Sequence, residues 1–351
     1  MMMFFTGSAY YDQYKGMSVY EKPEFIDLHL RPEFTYELVL GVPYAKWLHD
    51  NKMLGTVYTS RGMRPYYYFA HLVIEQYDQR TIDNNHSGVN SLPNNWLHHN
   101  AMAIFGRDYS VLTDAEKVKA NGVLDYTKWT PPNYLDEYKD CKLYIKYKEK
   151  FTKPLIIINN QFNIEKGMYP TRFYDIECLY IMIEMLKDKY QIVYNRPTNT
   201  EFVIDENENA SVLYNMSLEA DVEGFGKITD FELMKHYPGT VYLFSDLLKE
   251  SNDRESGLGY NDFQLRLFAR AHGFIGLVGG AGTLSCFYKK PTIMYESVSR
   301  AIAPGYWSKD SYYQMLSGGN AHPVIDKRDD QIARGGHDYH RLYELIDELF
   351  L

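Results

Sequence analysis

FIGLVGGAGTLSCFYKKPTIMY, residues 274–295, is the stretch on which the fold of this chain turns. Residues 274–278 form an apolar run of strand length. Gly279-Gly280-Ala281-Gly282 follows, Thr283 opens a segment of helical character, and 292–295 is a second apolar run. A strand, a glycine turn, a helix and another strand make one repeat of a parallel α/β sheet. Glycine takes positive φ freely and lets the backbone approach an anion closely. The first N–H groups of the helix have no partner and lie at the positive end of its dipole, so the turn predicts a seat for a phosphate. Thr283 is expected to cap the helix or donate to a phosphate oxygen. A bare turn would need one glycine, and this one has three.

Upstream, the same alternation continues. Residues 153–158 form an apolar run expected to be a strand buried on both faces. Residues 173–189 carry Ile176, Leu179, Tyr180, Ile183 and Leu186 on one helical face. Strands are predicted at 191–194 and 240–244, and helices at 228–236 and 260–271. The C-terminal half, 151–351, therefore reads as a doubly wound, Rossmann-like domain. The half before residue 150 is less regular. It predicts a strand at 37–42, a helix at 44–53, a strand at 55–59, a strand or helix at 67–75, a long loop over 83–100 and a stiff crossover at 129–134. A helix over 339–350 is free to pack on either half, including back onto the first.

In parallel α/β sheets, ligands bind outside the carboxyl ends of the strands. Asn159 and Asn160 follow the first strand of the second half, Asn195 and Arg196 the next, and Ser245 and Asp246 the third. Arg172 precedes a helix, where a guanidinium is suited to pair with a diphosphate. Asn261 and Gln264 stand about one helical turn apart and are expected to face the same cleft. Several chemistries are disfavoured. Gly282 is followed by Thr283-Leu284, not Lys-Ser/Thr, so the loop is no ATPase P-loop. It comes too late in its domain for a dinucleotide fingerprint. No G-x-S-x-G elbow occurs. No D-x-D triplet occurs and His98-His99 lacks carboxylate partners, so neither a metal nor any other cofactor is expected.

Composition sets outer bounds. The 351 residues are 45% hydrophobic and 24% charged, enough for two cores. A net charge of −9 without basic runs argues against nucleic acid as a partner. No stretch approaches a membrane span, and MMMFF at the start is too short for a signal peptide. Cys141, Cys178 and Cys286 are far apart, consistent with reduced thiols and a cytoplasmic setting. Thirty-three tyrosines are the compositional oddity. They suit either a carbohydrate ligand or a scattered coding bias.

With these residues in view, the chain resembles glycosyltransferases of the GT-B fold, in which two Rossmann-like domains face a central cleft. The resemblance covers roughly residues 153–296 and centres on YQIVYNRP and NDFQLRLFARAHGFIGLVGGAGTLSCFYKKPTIMY. It implies that Gly280, Ala281, Gly282, Thr283 and Leu284 contact the phosphates of a nucleotide-sugar donor, with Arg172 or Arg196 adding positive charge. Over its whole length the chain also resembles glycosyltransferases of large algal (chlorella) viruses, some of them fucosyltransferases, which work in the host cytoplasm. That implies GDP-fucose as the leading donor and a glycan or glycoprotein acceptor. The H-x-R-x-G-D and H-x-R-x-x-D motifs of better-known GDP-fucose enzymes are absent, and Asn159-Asn160-Gln161-Phe162 stands at the corresponding strand end. Candidates for the acceptor side of such a reaction are Asp27, His29, His71 and Glu75 as bases and Arg61 as a charge stabiliser. A sugar-nucleotide epimerase of the same architecture and a non-catalytic glycan-binding protein are the competing readings.

Overall fold

The computed structural model describes residues 25–80, 111–113, 116, 128–141, 150–164, 170, 172–197, 210–254, 259–296, 312–326 and 338–351. The loop expected over 83–100 and His98-His99 lie outside them. Within them the chain builds two parallel sheets and a small hairpin.

The smaller sheet has the order β1 (Ile26–His29), β2 (Leu54–Ser60), β3 (Val73–Tyr77), with both pairings parallel. The link from β1 to β2 runs through a helical turn at Phe34–Tyr36, a π-helical turn at Glu37–Gly41 and helix α1 (Val42–Asp50). Residues 37–42 are therefore helical, not the expected strand. ELVLG is buried at every position, and a short run buried on all sides has no periodicity to separate helix from strand. Residues 67–75 also divide differently from the expectation. A 3-10 turn at Arg64–Tyr67 ends before β3 begins at Val73.

The larger sheet has six parallel strands. Their order is β11 (Ala321–Ile325), β10 (Thr292–Glu296), β9 (Gly273–Leu277), β4 (Leu155–Asn159), β5 (Gln191–Asn195), β8 (Val241–Leu243). β4, β5, β9 and β10 are buried at every position, as strands covered on both faces must be. Between them run α3 (Ile176–Leu186), α4 (Ala210–Tyr214), α5 (Asp230–Lys235), α6 (Phe244–Arg254), α7 (Tyr260–Phe268), α8 (Gly280–Cys286) and α9 (Tyr312–Ser317), and α10 (His340–Phe350) follows the last strand. α2 (Tyr134–Tyr138) precedes the sheet, and the antiparallel pair β6 (Glu219–Val222) and β7 (Gly226–Thr229) is inserted before α5.

Local sequence explains where the helices start. Asp175 accepts from the Cys178 amide at 2.8 Å, and Thr229 with Glu232 closes a reciprocal capping box. α3 buries Ile176, Leu179, Met182, Ile183 and Leu186, each such side chain contributing about 1.5–3 kcal/mol. α10 packs on β10, β11 and α3. The C-terminal helix thus belongs to the larger sheet and does not return to the first half.

Alternate residues of the large sheet enter two cores. Ile156, Ile158, Ile192, Ile275 and Tyr295 join α3 and α10 on one face. Leu155, Ile157, Val193, Phe274 and Met294 point the other way, into a cluster continuous with Leu28, Val57, Tyr66 and Tyr134. The small sheet and one face of the large sheet therefore share a core. Cys178 and Cys286 are buried, Cys141 is half-buried, and all three are free thiols.

Candidate functional site

The strand order of the larger sheet reverses at one place. From β4 the chain moves outward to β5 and β8, then returns to the other side of β4 for β9, β10 and β11. The carboxyl ends of β4 and β9 flank this switch point, where open α/β sheets form their ligand crevice. Asn159, Asn160 and Gln161 end one wall, and Gly279-Gly280 ends the other.

Each glycine there has a neighbour. Gly279 has φ +144°, and a Cβ on it would stand 2.6 Å from Gln161 Nε2. A Cβ on Gly280 would strike the Phe34 ring, and one on Gly282 would strike the Leu277 carbonyl oxygen. The third glycine therefore serves to seat α8 against β9. α8 begins at Gly280 with Gly279 as N-cap. Thr283 does not cap it. Its buried hydroxyl lies 3.3 Å from the Tyr313 hydroxyl, and Leu284 is wholly in the core. Only Gly279, Gly280 and Ala281 keep partial exposure.

Across the same edge a buried polar ladder runs sideways. Ser285 Oγ donates to the Ala281 carbonyl at 2.9 Å, and Asn159 Nδ2 donates to Ser285 Oγ at 3.3 Å. Asn195 Nδ2 donates to Asn159 Oδ1 at 3.1 Å, and the Tyr260 hydroxyl donates to Asn195 Oδ1 at 3.1 Å. The ladder joins α8, β4, β5 and α7. Asn160 is saturated separately. Its Oδ1 accepts from the amides of Gln161 (2.9 Å) and Tyr174 (2.8 Å), and its Nδ2 donates to the Tyr194 hydroxyl (2.9 Å) and the Tyr174 carbonyl (3.2 Å). Asn160 shapes the loop after β4.

Arg196 corrects a second expectation. Its guanidinium pairs with both carboxylate oxygens of Asp230, donates to Ser211 Oγ at 3.2 Å and lies 4.5 Å from the Phe231 ring centroid. Arg196 is 8% exposed and Asp230 fully buried. An arginine so committed is a structural ion pair, not a cation waiting for a diphosphate. Arg172 sits in a bridge with Asn163 beyond β4 and stays half-exposed at the carboxyl edge. Ser245 and Asp246 lie in the exposed first turn of α6, past the edge strand β8.

The small sheet meets this edge with its own carboxyl ends. Gly62, just past β2, accepts at its carbonyl from Asn261 Nδ2 at 2.9 Å. The Tyr66 hydroxyl lies 3.4 Å from both Asn261 Oδ1 and Gln264 Oε1. Asn261 and Gln264 thus do share a surroundings, and its centre is a tyrosine of the other half. Phe34, past β1, rests on Gly280 and meets Tyr66 edge-on at 5.5 Å between centroids. Behind it, the buried Glu37 carboxylate pairs with Arg80 and accepts from Thr59 Oγ1 and from the Tyr67 hydroxyl at 2.9 Å. Burial, and after it the Glu37 charge, push the Tyr67 hydroxyl up, so it remains a proton donor.

The five acceptor-side candidates separate by position. His29 and Arg61 stand exposed at the carboxyl ends of β1 and β2. Asp27 and His71 are near the opposite strand ends, and the Asp27 carboxylate accepts from the Thr56 amide at 2.6 Å. Glu75 accepts from the Arg64 amide at 2.9 Å. Gln161, Phe34, Tyr66 and Asp230 were not singled out from sequence. Only Gln161, adjacent to Asn160 at a strand end, carried a signal that would have found it. Many tyrosines prove to be interior supports. Tyr134 donates to the Tyr66 carbonyl at 3.0 Å, Tyr138 to the Pro65 carbonyl at 2.7 Å and Tyr288 to the Leu265 carbonyl at 2.8 Å.

These features define an α/β protein with two parallel sheets joined at their carboxyl edges. No protein-family model matches the chain, and no curated protein matches it. Among solved structures, the wall teichoic acid polymerase TagF is similar at 14% identity over 67% of this chain, with a TM-score of 0.28. The chain spans 50% of that protein's length. A likeness so loose fixes neither architecture nor activity. No helix among the described residues is long and apolar enough to cross a membrane.

Proposed function

We propose that the protein is a glycosyltransferase that moves a sugar from a nucleoside-diphosphate donor to a glycan hydroxyl without a metal, with the GT-B arrangement of a donor-binding C-terminal half and an acceptor-side N-terminal half. One observation carries the reading. The carboxyl edge of the small sheet is turned toward the carboxyl edge of the large one, at the switch point where the glycine turn lies. A donor seated there would place its diphosphate against the backbone of the partly exposed Gly279, Gly280 and Ala281 and the side-chain amide of Gln161. Oriented N–H groups in a site shielded from water stabilise the charge that develops on a departing diphosphate. Arg172 is the guanidinium at this edge that remains assigned to the phosphates. Ser245 and Asp246 stand where a base or ribose would extend past β5. On the acceptor side, His29 is the base and Arg61 the charge stabiliser kept from the five candidates.

The test is direct. The purified chain is incubated with GDP-fucose and other GDP-, UDP- and ADP-sugars, with and without glycan acceptors, and free nucleoside diphosphate is measured. Acceptor-dependent release supports glycosyl transfer. Conversion of the donor sugar with no acceptor present would favour an epimerase, and silence with every donor would end the enzymatic reading.

A further inference from the structure

Where the two carboxyl edges meet, three polar side chains are bonded more loosely than their neighbours. The Tyr66 ring itself is fixed. It meets Phe34 and Tyr134 edge-on at 5.5 and 5.8 Å between centroids, and its carbonyl accepts from the Tyr134 hydroxyl. Tyr66 is wholly buried, yet the two acceptors within reach of its hydroxyl, Asn261 Oδ1 and Gln264 Oε1, both stand 3.4 Å away. Hydroxyl hydrogen bonds are normally about 2.7–2.8 Å long. The Tyr138 and Tyr288 hydroxyls nearby meet that standard, at 2.7 and 2.8 Å. Gln264 is 2% exposed, and the contact with Tyr66 is the one its side chain makes among the described residues. One end of its amide therefore has no partner, whichever way the amide is turned.

Asn261 is tied down by its other end, which donates to the Gly62 carbonyl at 2.9 Å. Gly62 has φ +82°, and a Cβ on it would stand 3.0 Å from that same nitrogen. Burial, and after it the Tyr260 hydroxyl, push the Tyr66 hydroxyl up, so it stays protonated. Buried polar groups short of partners are destabilising, and a fold that keeps them points to a further group that completes their bonds. Asn261, Gly62 and Phe34 around the cluster are partly exposed, so it lies just inside the crevice and not in a sealed core. Phe34 also rests on Gly280, which puts the cluster one ring away from the glycine turn. The three side chains offer donors and acceptors but carry no charge. Close by, Glu37 pairs with Arg80, and Asp262 with Arg266 at 2.8 Å. An uncharged set of this kind matches a hydroxyl group, which donates and accepts at once.

We propose that Tyr66, Asn261 and Gln264 form a subsite for an uncharged sugar, one of whose hydroxyl groups bonds the free end of the Gln264 amide and the Tyr66 hydroxyl. Lying beside the glycine turn, that sugar is the one the nucleoside diphosphate carries. This role rests on the glycosyl-transfer reading, whereas the binding itself does not.

Binding is measured by saturation-transfer NMR on the full chain with glucose, galactose and L-fucose, in the presence and absence of a nucleoside diphosphate. At least one of the sugars is expected to bind, and Gln264→Leu and Tyr66→Phe are each expected to weaken it about fivefold. Leucine replaces an under-bonded amide with an apolar group of similar size, so Gln264→Leu is expected to melt no earlier than the wild type. Tyr66→Phe, which deletes a single oxygen, decides the matter if it does. No signal from any of the three sugars, or a signal unchanged in both variants, overturns the proposal and leaves the cluster to an ordered water. Calorimetry with nucleoside diphosphates and their sugar donors tests the role. Donors weakened about fivefold in the variants, with nucleoside diphosphates unchanged, support it. Equal loss for both removes the donor role alone. Sugar binding by a chain that takes no nucleotide would end the glycosyl-transfer reading and leave this subsite standing.

Discussion

Replacing Gly282 with alanine tests the assignment of the glycine turn most sharply. The new methyl would sit roughly 1 Å inside the usual carbon–oxygen contact with the Leu277 carbonyl and 3.0 Å from Met294 Cε. Methionine can yield, but a carbonyl inside a buried parallel strand cannot. α8 must therefore retreat from β9 by most of that distance. A gap of 0.5–1 Å forfeits about a quarter to a half of each dispersion contact. Thr283, Leu284 and Cys286 are all at or near zero exposure on this helix. Their combined loss is roughly 3 kcal/mol, in the upper part of the range for overpacked cores. Alanine returns up to about 1 kcal/mol through its helix propensity. The net expectation is about 2 kcal/mol of destabilisation, or a melting temperature lower by about 3 °C for a chain of this size. Gly276→Ala is the matched control, because its methyl would meet Asn159 Cβ at an ordinary 3.4 Å. Urea and thermal unfolding of both variants give the answer. If Gly282→Ala melts with the wild type, or Gly276→Ala loses as much, the packing account of the third glycine is wrong.

Arg196→Met is expected to cost about 3–5 kcal/mol in urea unfolding by stranding the buried Asp230 carboxylate, and adding Asp230→Leu should restore most of it. Gln161→Glu places a negative charge beside Gly279. It should weaken nucleoside diphosphate binding about tenfold or more in a titration while leaving the melting temperature unchanged. Nucleoside diphosphate release should persist in excess EDTA, and its loss there, restored by magnesium or manganese, would refute metal-free transfer. Partial burial, then Lys290 and Arg270, hold the His272 imidazole below its usual range, and its Nδ1 accepts from the Leu155 amide at 3.3 Å. Because the folded state favours the neutral ring, this stability is present above pH about 6.5 and fades as pH falls through the lowered folded value. His272→Gln should flatten that part of a stability-against-pH curve.

The legibility of the fold tracks how local its causes are. β4, β5 and β9 were readable because a strand covered on both faces must be an apolar run, and α3 because half of its surface is not covered. ELVLG failed for the matching reason, since a helical turn buried on every side resembles a buried strand. Its one polar residue, Glu37, is held by Arg80, 43 residues away, a partner no local pattern announces. β11 was missed because Pro323 argues against a strand, although an edge strand tolerates it. At the site, the glycine turn and the asparagines at strand ends were found from position alone. Arg196 was misassigned because its partner, Asp230, lies beyond an inserted hairpin. Phe34 and Tyr66 carry no motif, and only the facing of the two sheets gives them a place.

The switch point in the larger sheet also orders events as the chain is made. β4 can pair with β5 as soon as both have emerged, but its other edge waits for β9, roughly 115 residues later. At about 5–20 residues per second, that edge stays open for roughly 6–23 s on the ribosome. It presents Leu-Ile-Ile-Ile, a β-prone, uncharged segment with unpaired amides, which is the kind of template that recruits a neighbouring nascent chain. The strand that sits at the centre of the finished sheet is thus its most exposed hazard during synthesis. Slowing translation between β8 and β9 should lower the yield of soluble protein more than slowing it after β11.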